Sequence, residues 1–158
     1  MTSTVLLTGA TGSLGAQIAR RLLARGDLDL YVLVRSEDET SARARLRREW
    51  WDWEDLRDAA SARVRAVSGD VSKPRLGLSD TTYAELTARL THIIHAAADV
   101  RLFEPLESLR TVNALGTRHA LDLARAAHAD HGLERFTHVS TAYVAGRCDG
   151  LVTEDELT

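Results

Sequence analysis

"LLTGATGSLG", residues 6–15, sets Gly9, Gly12 and Gly15 directly behind an apolar run and in front of a segment that carries Leu14, Ile18 and Leu22 at helical spacing. Each glycine has a mechanical reason in such a place. A tight turn needs a residue free of β-carbon strain, a backbone that meets a pyrophosphate must come close to it, and a helix packed hard on a strand leaves no room for a side chain. The N-terminus of the following helix then offers unpaired N–H groups and the positive end of a dipole to phosphate oxygens. Strand before, amphipathic helix after and three glycines between them predict a dinucleotide-binding turn made by Gly9, Thr11, Gly12, Ser13, Leu14 and Gly15.

The rest of the chain repeats the alternation. "TVLLT" (4–8), "LYVLV" (30–34), "VRAVS" (64–68), "HIIHA" (92–96) and "FTHVS" (136–140) read as strands, with helical patterns between them. The longest, from about Leu106 to Ala129, carries Leu109, Val112, Gly116, Ala120 and Leu123 on one face. Continuous apolar strands alternating with helices predict an α/β fold, a doubly wound parallel sheet covered on both faces. Residues 36–62, "SEDETSARARLRREWWDWEDLRDAASA", are more charged and read as one or two exposed helices inserted between the second and third strands.

The second strand ends in Arg35. A site built for NAD usually places Asp or Glu about 20 or more residues after the glycines, to take hydrogen bonds from the ribose 2′-hydroxyl. A guanidinium there suits a 2′-phosphate instead, so NADP is the expected cofactor. Arg43, Arg45 or Arg47 offers a second contact.

Composition limits the alternatives. The chain has 158 residues, 44% of them hydrophobic, enough for one domain with a real core. A net charge of −3 argues against nucleic acid as the main partner. No apolar run approaches the roughly 18 residues of a membrane span, and no basic flank with an apolar signal core opens the chain, so a cytoplasmic location is expected. Cys148, the single cysteine, reads as a spectator thiol.

With the three glycines, the arginine-ended second strand, "SGDVSKPRLGLS" (68–79), "HIIHAAADV" (92–100), "LRTVNALGT" (109–117) and "HVSTAYVAG" (138–146) in this order, the chain resembles the extended short-chain dehydrogenase/reductases, and within them the thioester-reductase and fatty acyl reductase branch. The likeness covers nearly all of the chain. It implies NADPH-dependent reduction of an acyl thioester, held on an acyl carrier protein or coenzyme A, to aldehyde or alcohol. It implies that Asp70 and Val71 contact the adenine, that Ala96, Ala97 and Ala98 line the nicotinamide-ribose side, and that Arg45 joins Arg35 at the phosphate. Asn113 matches an asparagine that supports the active site, and Thr141, with Ser140 beside it, falls at the catalytic Ser/Thr position. The family has a small polar residue where this chain has Ala97. The implied sheet order is 3-2-1-4-5, with the dinucleotide across the crevice where the order reverses.

In hydride transfer to such a carbonyl the oxygen gathers negative charge, and a threonine hydroxyl aimed at it is a preorganised donor. A phenol beside an ammonium would supply the proton, and a Tyr-x-x-x-Lys pair shares one helical face. No such pair occurs in the sequence. Tyr143 has Arg147 at that spacing, but just behind the fifth strand, and Lys73, the only lysine, follows the third strand in another part of the sheet. Residues 1–158 are therefore expected to be the NADP-binding, N-terminal part of a larger reductase, inactive alone, with the acidic "LVTEDELT" leading toward the tyrosine. A sheet that ends at strand five leaves an edge, through which self-association is expected.

Other readings stand beside this one: a non-catalytic NADP(H) sensor, or an extended reductase of nucleotide sugars or steroids. "WWDWEDL" (50–56) suits an anchor for the inserted helix, an adenine cap or a partner surface. The histidines at 92, 95, 128 and 131 suggest no converging metal ligands.

Overall fold

A computed structural model describes residues 2–57, 63–141, 146–147 and 150–153. Tyr143, Cys148, residues 154–158 of the acidic ending and residues 58–62 of the inserted stretch lie outside the described residues.

Five strands, β1 (Ser3–Thr8), β2 (Leu28–Val34), β3 (Val64–Ser68), β4 (His92–His95) and β5 (Arg135–His138), form one parallel sheet in the order β3-β2-β1-β4-β5. Val5 stands opposite Leu30 on one side and His92 on the other, so the first strand of the sequence is the middle of the sheet. The order reverses between β1 and β4, which opens a crevice at their C-terminal ends.

Alternating side chains of the central strands feed two cores. Val5, Leu7, Val32 and Ala66 pack with Ala16, Ala19 and Leu23 of helix α1 (Ser13–Arg25) and with Ala42 and Leu46 of α2 (Glu39–Glu49). Leu6, Tyr31, Leu33, Val67 and Ile93 pack on the other face with Leu86 of α3 (Asp80–Arg89) and with Ala120, Leu123 and Ala127 of α5 (Gly116–His131). This two-sided burial is why the strands are apolar throughout rather than alternating.

Several boundaries differ from the sequence expectation. β2 begins two residues earlier, at Leu28, because Asp29 interrupts the apolar run while pointing outward. β5 ends at His138, so Ser140 and Thr141 lie beyond the strand; Val139 makes a backbone bond to the His95 carbonyl at 2.9 Å. The stretch from Leu106 is one turn, α4 (Leu106–Leu109), then a π-helical segment, Arg110–Leu115, then α5. Within it the hydroxyl of Thr111 donates to the Glu107 carbonyl at 2.8 Å and that of Thr117 to the Asn113 carbonyl at 2.6 Å, side-chain bonds that suit a helix away from regular i→i−4 pairing.

The inserted stretch is less exposed than its charge suggests. Asp38 caps α2 by accepting the Ser41 N–H at 2.7 Å, and Ala42, Leu46, Trp50 and Leu56 are all buried. Of the three tryptophans, Trp50 is fully buried, Trp53 packs at the margin of the core, and Trp51 is 66% exposed. No described helix is long and apolar enough to cross a membrane.

Candidate functional site

The glycine turn closes the crevice from below. Gly9 has φ +75°, and a β-carbon there would stand 2.6 Å from the Ala96 carbonyl and 2.7 Å from the Ala97 nitrogen, so only glycine lets the turn touch the end of β4. A β-carbon on Gly15 would stand 2.1 Å from the Gly9 oxygen, which is how closely α1 sits on the turn. Gly12 caps α1 in extended conformation without a side-chain hydrogen bond, so no capping side chain occupies the N–H groups of the first turn. That uncapped N-terminus and the bare glycine backbone fit a pyrophosphate.

Above the turn lies a hollow of about 290 Å³. Gly9, Thr11 and Gly12 form its floor, Leu33, Arg35 and Arg45 one end, Gly69, Asp70 and Val71 the side at β3, and Ala96, Ala97, Ala98 and Val112 the side at β4. Ser13, Leu14 and Gly15 stand in the first turn of α1 rather than in this wall, Leu14 at 55% exposure. Leu33, Gly69 and Val112 were not singled out from sequence. The first two share with Arg35 and Asp70 the C-terminal ends of β2 and β3, a position that marks the rim of any such sheet.

Arg35 and Arg45 are coupled directly: an Arg45 guanidinium N–H donates to the Arg35 carbonyl at 2.7 Å, while Arg45 Nε is buried without a hydrogen-bond partner in the structure. Asp70 Oδ1 accepts from the Ser72 N–H at 2.9 Å and the Ser72 hydroxyl at 2.7 Å. Burial alone would raise the Asp70 pKa, but the Ser72 bonds and the positive charges of Arg35 and Lys73 outweigh it and hold the carboxyl below its ordinary value.

At the other end of the crevice, the Asn113 amide clamps one residue of backbone: its Oδ1 accepts the Asp99 N–H at 2.8 Å and its Nδ2 donates to the Asp99 carbonyl at 2.9 Å. The π-helical segment thus holds the loop that follows β4, with Val112 on the cleft wall. Asp99 is gripped by Arg101 at 3.0 and 2.7 Å, which pulls its carboxyl down to about 2. Ser140 and Thr141 are exposed at the end of the described β5 region and do not line the hollow.

Behind the Ala96–Ala98 wall sits a buried polar chain. The Ala97 N–H donates to Thr8 Oγ1 at 3.1 Å, and the Thr8 hydroxyl shares a hydrogen bond with His95 Nδ1 at 2.8 Å. His95 Nε2 is buried without a hydrogen-bond partner in the structure. Burial, and then the charge of His138, whose ring stacks at 5.5 Å, hold the His95 pKa at about 4. Among the described residues no three His, Cys, Asp or Glu converge as metal ligands.

Residues 7–157 match the NAD-binding family described as male sterility protein. The chain is 36% identical over 169 residues to the L-2-aminoadipate reductase large subunit of Penicillium chrysogenum, an alignment covering 98% of this chain and 12% of that subunit. It superposes on the terminal R domain from the myxalamid PKS-NRPS biosynthetic pathway with a TM-score of 0.79 at 37% identity, over 90% of this chain and 35% of that one. It likewise superposes on the reductase (R) domain of a non-ribosomal peptide synthetase from Mycobacterium tuberculosis with a TM-score of 0.77 at 34% identity, over 93% of this chain and 35% of that one. The chain therefore spans about one third of these reductase structures and a smaller part of the curated relative. A doubly wound sheet with a glycine turn at its switch point, matched over nearly its whole length, belongs to the thioester-reductase branch of the extended short-chain dehydrogenase/reductases.

Proposed function

We propose that the chain supplies the NADPH-binding half of a reductase that acts on acyl thioesters carried by an acyl carrier protein or coenzyme A. The observation that carries this reading is the hollow at the sheet's C-terminal rim, floored by Gly9 and Gly12 and ended by two linked arginines, Arg35 and Arg45. When bound, the dinucleotide supplies the hydride that reduces the thioester carbonyl.

The chain's own residues bind and orient. The N–H groups at the start of α1 take the pyrophosphate, and Arg35 with Arg45 takes the ribose 2′-phosphate. Asp70 and Val71 border the adenine. Ala96, Ala97 and Ala98 present a flat wall to the nicotinamide side, kept in place by the Thr8–His95 pair behind it. Asn113 fixes the loop at Asp99, and Thr141, with Ser140 beside it, donates a hydrogen bond to the carbonyl oxygen as negative charge accumulates there. The proton comes from a tyrosine and lysine elsewhere in the protein, since the only lysine of this sequence, Lys73, has glycine at the fourth position before it. Self-association through the edge strand β5, whose Arg135, Thr137 and His138 are exposed, belongs to the same reading.

The test is calorimetric titration of the chain and of Arg35→Ala with NADPH and NADH. Binding that favours NADPH and loses about tenfold or more of that preference in the variant is expected, the worth of a charge-assisted contact. Failure of the chain to bind NADPH, or equal affinities for both nucleotides, would overturn the reading.

A further inference from the structure

Lys73 stands just before a turn of unusual backbone. Arg75, Leu76 and Gly77 have φ of +55°, +60° and +62°, three consecutive residues in the left-handed region. Two of them bear β-carbons, for which this conformation is costly, so their neighbours must hold them there. Leu76 is fully buried in the core beneath the turn. The Arg75 guanidinium lies 4.1 Å from the centre of the Tyr83 ring and 3.3 Å from an oxygen of Asp80. Burial on one side and this clasp on the other keep the turn closed.

The closed turn does two things to the loop behind β3. Its Leu76 carbonyl accepts the Asp70 N–H at 2.7 Å, while the Lys73 N–H donates to the Asp70 carbonyl at 3.0 Å. Gly77 also provides a bed for the lysine stem: a β-carbon there would stand 3.3 Å from Lys73 Cδ and 3.4 Å from Lys73 Cβ. Lys73 thereby borders a second hollow of about 300 Å³, which Arg35, Ser36, Glu37, Arg45 and Asp70 also line.

The charges of this second hollow are unbalanced. Arg35, Arg45 and Lys73 line it against Glu37 and Asp70, and the Asp70 Oδ1 is already engaged by Ser72. None of the three cations forms an ion pair among the described residues, whereas Arg75 next door is held by Asp80. An excess of cations around a pocket that adjoins the main cleft through Arg35, Arg45, Gly69 and Asp70 suits a small dianion projecting from a ligand in that cleft.

We propose that Lys73 is a specificity-determining residue, a third cation for the phosphate ester on the adenosine ribose, positioned by the left-handed turn Arg75–Gly77. This rests on the NADPH reading of the main cleft. The two arginines offer planar forks, and the ammonium adds a compact charge whose value lies in sign more than in geometry.

The experiment is titration of the chain, Lys73→Gln and Lys73→Arg with NADPH, NADH and adenosine 2′,5′-bisphosphate. Lys73→Gln is expected to weaken NADPH and the bisphosphate about tenfold, equivalent to about 1.4 kcal/mol, and to leave NADH unchanged. Lys73→Arg is expected to restore most of that loss. Unchanged NADPH affinity in Lys73→Gln would overturn the proposal while the wild-type preference for NADPH kept the cleft reading intact. An equal loss for NADPH and NADH would also overturn it, because it would show that Lys73 serves the turn and not the phosphate. A wild-type chain that does not distinguish the two nucleotides would overturn both.

Discussion

Trp50 donates its indole N–H to the carbonyl of Ala10 at 2.9 Å, across forty residues of sequence, and so fastens the inserted helix α2 to the glycine turn. Both groups are buried. The inserted stretch is thus tied into the floor of the cleft rather than appended to the sheet.

Trp50→Phe removes the donor and some ring volume, and leaves the Ala10 carbonyl without its partner. A loss of about 2–4 kcal/mol is expected from the two effects together. Trp51→Phe, at a position 66% exposed, should stay within about 0.5 kcal/mol of wild type. Urea unfolding of both variants checks this, and similar losses would contradict the role given to Trp50.

Asn113→Ala deletes both hydrogen bonds that hold the Asp99 backbone. The expected cost is about 1–3 kcal/mol, with faster amide exchange at Asp99 as its local sign. Asn113→Asp keeps an acceptor for the Asp99 N–H but turns a second oxygen toward the Asp99 carbonyl, so it should rescue little. Full rescue by Asp would mean that the N–H bond alone matters.

His95 makes stability depend on pH in a defined window. Its folded pKa of about 4 lies below the ordinary 6.5, so the unfolded chain takes up a proton first as pH falls. The favourable contribution is complete above about 6.5, declines between 6.5 and 4, and falls no further below the folded pKa. The total is on the order of 3 kcal/mol. Denaturant midpoints at pH 7 and pH 4.5 should differ more for wild type than for His95→Gln, whose side chain does not titrate. Equal differences would remove His95 as the source.

The sheet was legible because strands buried on both faces leave continuous apolar runs, and "TVLLT", "LYVLV" and "VRAVS" sit inside β1, β2 and β3. β5 was less so: as an edge strand it has a partner only in β4, and the ladder stops where β4 stops. The π-helical turn at Arg110–Leu115 left no trace, because Leu109, Val112 and Gly116 fit a regular helix equally well.

At the rim, legibility followed the strand ends. Arg35 and the glycine turn are placed by where β2 and β1 stop, and Ala96–Ala98 by where β4 stops, so counting along the chain was enough to bring them to one cleft. Lys73 reads from the sequence as standing behind the third strand, away from the fifth, and the sheet order agrees, but its place in one hollow with Arg35 and Arg45 was not foreseen. Its place depends on a leucine and an arginine with positive φ, a conformation that no residue pattern assigns to them. Trp50 was legible as an anchor, but its partner Ala10 emerges only from the folded packing of α2.

The central position of β1 has a consequence for the chain as it is made. β2 reaches β1 within a few tens of residues, yet the other side of β1 stays open until His92–His95 arrives, and Thr4 and Thr8 wait for Thr91 and His95, each 87 residues later. At a synthesis rate of about 5–20 residues per second, that interval is on the order of ten seconds. A nascent chain therefore shows the ribosome's surroundings a half-built sheet with the apolar strand "VLLT" at its growing margin, and the cleft at the sheet's rim is walled only when the fourth strand emerges.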